Sequence, residues 1–303
     1  MDSDALKTFV AIHRADGFSS AAEQLHRSQP AISRRIALLE AELGAPLFER
    51  VAGGAVLSQA GRVLLPHAER VLAALQDAAQ AIEAVRSENA GSVSLAVVGT
   101  LANTELTTVL KKFTVRFPKA ELSLRTATSA EVSELVRRGE ADIGLRYHDD
   151  PSPDLICEAL EPERLVVACA WDHKLASKTV RSLTALRSER WLAFPFSPNR
   201  GESPTSHIHA QFLVRGVGEF RWTPIDSLTA QKRLVEAGFG IALLPESSIK
   251  EERSAKTVAT IRVGDLEAMS PVSAIVRKAG YLNSASKSLL EILRRPTKMH
   301  GRR

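Results

Sequence analysis

Between Phe18 and Leu43 apolar side chains return every three or four positions in two runs, Phe18/Ala21/Ala22/Leu25 and Ile32/Ile36/Leu39/Leu43. Such spacing belongs to helices that each bury one face. So few residues part the runs that the second helix has to leave the first through a tight turn. Leu6, Phe9, Val10 and His13 repeat the pattern upstream, with Asp16-Gly17 as the break. Ser20 followed by Glu23 matches a capping box at the start of the middle helix, and Ala21-Ala22 leaves room for another helix to cross closely. For the third helix, Ser28 can cap the orphan N–H groups, Pro30 is tolerated in the first turn and Gly44 supplies the stop. With Ile32, Ile36, Leu39 and Leu43 turned inward, the opening turns from Gln29 to Arg34 face outward, which is a helix-turn-helix arrangement.

Leu47-Phe48 and Val56-Leu57 on either side of Gly53-Gly54 predict two short strands around a turn, a wing. Ser58 can cap the helix that follows. From 59 to 88, Leu64, Ala68, Val71, Leu75, Ala78, Ile82 and Val85 alternate spacings of four and three, a heptad seam that calls for a partner helix. Pro66 inside this stretch is expected to kink the helix or remove one backbone bond. Beyond Glu88-Asn89-Ala90-Gly91 the pattern changes to strand 92–98, helix 103–117, strand 121–126, helix 129–138 and strand 142–146, a βαβαβ order that implies a parallel sheet. A second round follows: strand 164–170, short helices near 182–187, strand 190–194, helix 203–214, strand 219–224, helix 227–237 and strand 240–244. The chain then returns near 260–265 to add strand 271–277 and a closing helix 283–294 to the first lobe. Two α/β lobes joined by two crossings enclose a cleft.

A chain of 303 residues with 44% apolar content exceeds one domain and can give several units a core. The expected division is 1–58 for the winged helix-turn-helix, 59–90 for the linker and dimerisation helix, and 91–303 for the two-lobed domain. Within the last, 91–161 with 265–303 forms one lobe and 162–264 the other. MDSDALKTFV lacks a basic segment followed by a long apolar stretch, and no eighteen apolar residues run uninterrupted, so the cytoplasm is the expected location and no membrane partner is expected. The net charge of +5 misleads about nucleic acid, because residues 1–90 hold nine Lys and Arg against eleven Asp and Glu. Any DNA argument rests on where single arginines project, with Arg27, Arg34 and Arg35 as the local cluster. Cys157 and Cys169 fit neither a CxxC pair nor a zinc cluster, and His207 and His209 diverge on the predicted helix, so no cofactor or metal is expected.

The stretch FSSAAEQLHRSQPAISRRIALLEAELGAPLFER resembles the helix-turn-helix signature of the LysR-type transcriptional regulators, with its AA..L, SQPA.S..I..LE and LG..LF.R elements in register. GFGIALLP at 238–245 resembles the family more loosely. The resemblance implies an α/β protein with an N-terminal winged helix-turn-helix, a long dimerising helix and a C-terminal effector domain similar to type 2 periplasmic binding proteins. It implies double-stranded DNA, a small-molecule effector, RNA polymerase and further copies of the chain as partners, as a homodimer through the linker helix and a homotetramer built from two such pairs.

A recognition helix enters the major groove N-terminal end first, which places Gln29, Pro30, Ala31, Ser33 and Arg34 at base edges. Ser19, Ser20, Arg27, Ser28 and Arg50 are placed to hold phosphates. Ala52-Gly53-Gly54 carries no base, leaving Arg50 as the wing cation. In parallel α/β lobes ligands gather at the carboxyl ends of strands, where helix N-termini favour anions. That rule selects Thr100, Thr128-Ser129, Arg146, Phe196 and Asp226, and the family resemblance adds Leu101 to the effector pocket. An anionic metabolite is the expected effector. Three other readings stay open. They are a redox-sensing regulator of the same family, an enzyme using the cleft, although no GxSxG, HExxH, P-loop or Rossmann fingerprint occurs, and an architectural DNA-binding protein.

Overall fold

A computed structural model describes residues 1–15, 17–51, 54–86, 91–195 and 205–294, without the side chains of Arg50, 84–86, 205–207 and 209. By packing, the chain forms two compact units. One gathers Met1–Glu88 with Arg137–Glu140 and Ala279–Asn283, and the other holds the rest.

The first unit opens with α1 (Ser3–Arg14), whose N-cap Asp2 accepts a bond from the N–H of Ala5 at 2.7 Å. Helices α2 (Phe18–Gln24) and α3 (Gln29–Leu43) follow. The turn between them passes through His26 at φ 51°, a left-handed step that sharpens it. Helix α2 begins two residues before the expected Ser20 cap: its N-cap is Gly17, with no side-chain capping bond. The Ser20/Glu23 box therefore does not form, because both residues already lie inside the helix. Ser28 does cap α3, accepting from the N–H of Ala31 at 3.4 Å, and Gly44 ends it at φ 70°.

Strands β1 (Phe48–Val51) and β2 (Gly54–Leu57) pair antiparallel as the wing. Helix α4 (Gln59–Arg86) runs past Pro66 without a break, so the proline costs only its backbone bond. Leu6, Phe9, Ile12, Ala21, Ile32, Ile36, Leu39, Leu47 and Ala68 form one buried core. Leu43 was expected there but is 42% exposed, since the last turn of α3 has passed the edge of that core. The expected seam on α4 also divides. Leu64 and Ala68 pack into the core, whereas Val71, Leu75, Ala78 and Ile82 are exposed in this single chain.

The start of α4 is fixed by close approach. A Cβ on Gly61 would lie 2.2 Å from the carbonyl oxygen of Leu47, and Ser58 donates to the Pro46 carbonyl at 2.6 Å while capping the Gly61 N–H at 3.0 Å. Backbone cannot yield as a side chain does, so Gly61→Ala is expected to destabilise this unit by about 3 kcal/mol. Thermal unfolding of the full chain checks it, and an unchanged first transition would contradict the packing described.

The second unit contains β3 (Ser92–Val98), α5 (Thr104–Arg116), β4 (Glu121–Ala127), α6 (Ser129–Arg137), β5 (Ile143–Tyr147) and β6 (Leu155–Ala159), then β7 (Glu163–Ala170), β8 (Thr179–Val180) and β9 (Trp191–Ala193). After these come α7 (Thr205–Leu213), β10 (Trp222–Pro224), α8 (Leu228–Glu236), β11 (Ala242–Pro245), α9 (Lys250–Ser254), β12 (Val258–Val263), β13 (Met269–Ser270), β14 (Val272–Arg277) and α10 (Ser284–Arg294). One sheet has the order β4-β3-β5-β14-β6, with β3 parallel to both neighbours as the βαβαβ reading requires. A second has the order β11-β7-β12-β8 with β13 also paired to β7, and β9 pairs with β10 in parallel as a small two-stranded sheet.

The return crossing follows β12, near the expected boundary at 264/265. β12 belongs to the second sheet, antiparallel to β7, and the chain goes back through β13 and β14. At the crossings the two chain segments form a ribbon in which Ala159 lies opposite Ser273 and Glu163 opposite Ser270, a slip of one residue. Pro162 and Pro271 occupy the slip, where neither can donate to the ladder.

Candidate DNA-reading surface and effector cleft

On the first unit, the buried stripe Ile32/Ile36/Leu39 turns the opposite side of α3 to solvent. Gln29, Pro30, Ala31 and Arg34 are exposed and Ser33 is half-buried. Ser19 and Ser20 are exposed on α2, and Ser28 is occupied as a cap. Arg50 lies in β1, and its side chain is outside the described set. Arg27 is exposed but not idle: its Nη1 and Nη2 grip both oxygens of Asp4, at 2.7 and 3.0 Å. Arg35 also reaches Asp4, at 2.9 Å. The Arg27 hydrogen bonds hold the Asp4 carboxyl below the usual carboxylate range.

Two residues here escaped the sequence reading. Asp4 had no visible partner. Glu40, on α3, accepts from the N–H groups of Leu47 and Phe48 at 2.6 and 3.4 Å and so ties the recognition helix to the wing. A Leu-Glu pair followed within one turn by Gly44 was the available signal.

In the second unit, a polar chain joins the two sheets. Thr100 donates to the Tyr147 hydroxyl at 2.9 Å, which donates to Glu163 at 3.0 Å. Asn103 donates to the other Glu163 oxygen at 3.0 Å, and Ser247 donates to that same oxygen at 2.6 Å. Thr100, Asn103 and Tyr147 follow or end strands of the first sheet, while Glu163 opens β7 of the second and Ser247 lies in the turn that follows β11. Lys250 pairs with Glu105 between the same two regions. Beside this chain lies a cavity of about 280 Å³ lined by Thr100, Asn103, Thr104, Lys232, Ser247 and Glu251. Its size is near the lower limit for small-molecule sites.

The other expected effector residues are placed as follows. Thr128 and Glu131 form the expected capping box on α6, with the Thr128 N–H donating to Glu131 at 2.9 Å. Ser129 is buried and accepts from the Tyr147 N–H at 3.4 Å. Arg146 is 2% exposed one residue before the end of β5, and its Nη1 donates to Asp150 at 2.7 Å. Leu101 is buried beside Thr100, Asp226 is exposed before α8, and Phe196 lies outside the described residues. Ser227, rather than Asp226, caps α8, accepting from Ala230 at 3.3 Å. Tyr147, Asn103, Glu163 and Ser247 were not anticipated, because their partners are far away in sequence.

Burial raises Glu163 above the ordinary glutamate range despite its hydrogen bonds. Tyr147 is raised too, first by burial and then by the Glu163 charge. A carboxyl that holds its proton more tightly when folded stabilises the fold fully below its unfolded pKa of about 4.3, and that contribution is lost as pH rises through the raised folded value. Glu163→Gln is therefore expected to gain thermal stability relative to wild type as pH climbs from acid to neutral. A difference in melting temperature that does not vary with pH would contradict this.

Burial also pushes Cys169 up to about 12, and it raises Cys157, whose Sγ accepts from the Asp150 N–H at 3.3 Å. Both shifts run in the direction opposite to the lowered pKa of an activated redox thiol. Among the described residues no group of three His, Cys, Asp or Glu could hold a metal ion, and no helix is long and apolar enough to cross a membrane.

A helix-turn-helix with a wing, followed by a long helix and a two-sheet ligand-binding domain, defines a DNA-binding regulator governed by an effector. Residues 3–62 match the family model described as bacterial regulatory helix-turn-helix protein, lysR family, and residues 86–297 match the LysR substrate binding domain. The chain belongs to the LysR family of transcriptional regulators. It is similar to the HTH-type transcriptional regulator TfdS of Cupriavidus pinatubonensis, 31% identical and covering 90% of this chain and 91% of that one. CitR of Bacillus subtilis is 28% identical over 97% of this chain and 98% of its own length. The solved structure of full-length CbnR complexed with its target DNA is similar at 27% identity and TM-score 0.64, covering 97% of this chain and 99% of that one.

Proposed function

We propose that this chain acts in the cytoplasm as a regulator without catalytic turnover, in which 1–58 binds DNA, 59–90 pairs two copies and 91–303 binds the effector. Gln29, Pro30, Ala31, Ser33 and Arg34 meet base edges, while Ser19, Ser20, Arg27, Ser28 and Arg50 hold phosphates. The observation that carries this reading is the outward face of α3, held clear by the packed stripe Ile32/Ile36/Leu39 on its other side. Two paired copies read two half-sites, and two pairs form a tetramer that bends the intervening DNA and alters its contact with RNA polymerase.

The effector is a small anionic metabolite held between the two sheets by Thr100, Leu101, Thr128, Ser129, Arg146, Phe196 and Asp226. An anion is supported by Arg146, a buried guanidinium at a strand end next to the N-terminus of α6, where an incoming carboxylate would exchange with Asp150. Effector binding shifts the balance between two arrangements of the paired domains, and its different affinity for each supplies the energy.

A thermal-shift screen of small organic acids and amino acids against the full chain tests the effector. A true ligand at a hundredfold excess over Kd is expected to raise the transition of the second unit by roughly 5–10 °C. Arg146→Ala should blunt an anion's shift, and an undiminished shift would remove Arg146 from the site. A footprint that changes with the ligand separates the regulator from an architectural protein, and product formation would reveal an enzyme.

A further inference from the structure

The region that must approach a polyanion is itself acidic, with nine Lys and Arg against eleven Asp and Glu over residues 1–90. How its few arginines are engaged therefore governs DNA affinity more than their number does. Two of them, Arg27 from the turn before α3 and Arg35 from α3 itself, converge on one carboxylate. Asp4 comes from the first turn of α1, and Arg27 meets it with both terminal nitrogens. The neighbouring Asp2 caps α1 and reaches Arg35 only at 3.5 Å.

A guanidinium grips a carboxylate or a phosphate through one of its bidentate N–H edges, and Asp4 occupies the outermost, Nη1/Nη2 edge of Arg27, so a phosphate approaching that edge competes with it. We propose that Asp4 is an intramolecular competitor for DNA phosphate, which Arg27 must leave before it can grip the duplex backbone. The inference rests on the reading of Arg27 as a phosphate contact given above. Exchange leaves the Asp4 carboxylate close to a polyanion, so the handicap applies to every duplex alike. Weak, purely electrostatic binding is suppressed, and occupancy comes to depend on the base contacts of Gln29, Ser33 and Arg34. The raised affinity of Arg27 for its proton beside Asp4 fits the same engagement.

The test uses the full chain and a random-sequence duplex, with fluorescence anisotropy over a range of NaCl, for wild type, Asp4→Asn, Arg27→Ala and the double variant. Asp4→Asn is expected to tighten binding by roughly two- to fivefold, the range for releasing an exposed pair. It should also steepen the salt dependence by about one counterion. Arg27→Ala should cost more affinity in the Asp4→Asn background than in wild type, whereas simple removal of a charge would give additive effects. Asp4→Glu, which keeps the carboxylate, should resemble wild type, and Asp4→Ser replaces Asp4→Asn should the latter melt early. Equal Arg27→Ala losses in both backgrounds would overturn the competition while leaving Arg27 as a contact. No loss in either would overturn that contact and the inference with it. Weaker binding by Asp4→Asn would mean that the carboxylate aims Arg27 at DNA, which also overturns the proposal.

Discussion

Arg34→Ala is expected to lower affinity for an operator duplex obtained by selection from random sequence by about ten- to a hundredfold, and to change affinity for random duplex far less. Arg34 is exposed on the second turn of α3, one turn beyond Pro30 and on the side away from Ile32 and Ile36. From there its guanidinium can reach a guanine edge, a bidentate contact worth about 1–3 kcal/mol of discrimination. Melting should be unchanged, because the side chain supports none of the core. Equal losses on operator and random duplex would demote Arg34 to a phosphate contact, and unchanged footprints would remove it from the interface.

The second large effect concerns α4. Val71, Leu75, Ala78 and Ile82 form an apolar row that the single chain leaves in water, with Leu75 at 49% and Ile82 at 63% exposure. The row continues the four-three spacing of a two-helix seam, and in the proposed pairing a second copy would supply the same row. Leu75→Glu with Ile82→Glu puts like charges face to face in that seam and is expected to lower the assembly size in sedimentation by breaking each pair. Operator affinity should fall by about 10²- to 10⁴-fold, the loss of tethering one half-site reader to the other, while a single half-site duplex is bound as before. An unchanged sedimentation coefficient would place the subunit contact elsewhere.

The elements of the first unit were legible because their signals are local. Ser28, Pro30 and Gly44 bracket α3 within the range of one helix, and the structure keeps that bracket. Where a distant contact overrode a local signal, the expectation failed. Ser20 and Glu23 have the right chemistry for a cap, but Phe18 is drawn into α2 by its packing against Phe48, so the helix starts earlier. β12 was not anticipated as a strand, although its residues fall in the expected second lobe, because VATIRV is short and has no clean apolar alternation.

The cleft follows the same division. The Thr128/Glu131 box spans three residues and could be read directly. Asn103, Glu163 and Ser247 meet across separations of 60 and 144 residues, which only the fold brings together. Arg146 was expected to end its strand and lies one residue before that end, and nothing in the sequence chose Asp150 over Asp149 as its partner.

The ribbon between the two sheets has a mechanical consequence. A lone connecting strand lets two bodies swivel in any sense, whereas two strands held by their own ladder resist torsion and yield chiefly by flexing along one line. The register slip at Pro162 and Pro271 marks that line, since the ladder there has fewer bonds to stretch. Jaws mounted this way share a single axis, so whatever molecule fills the gap between them can set their aperture but not their alignment.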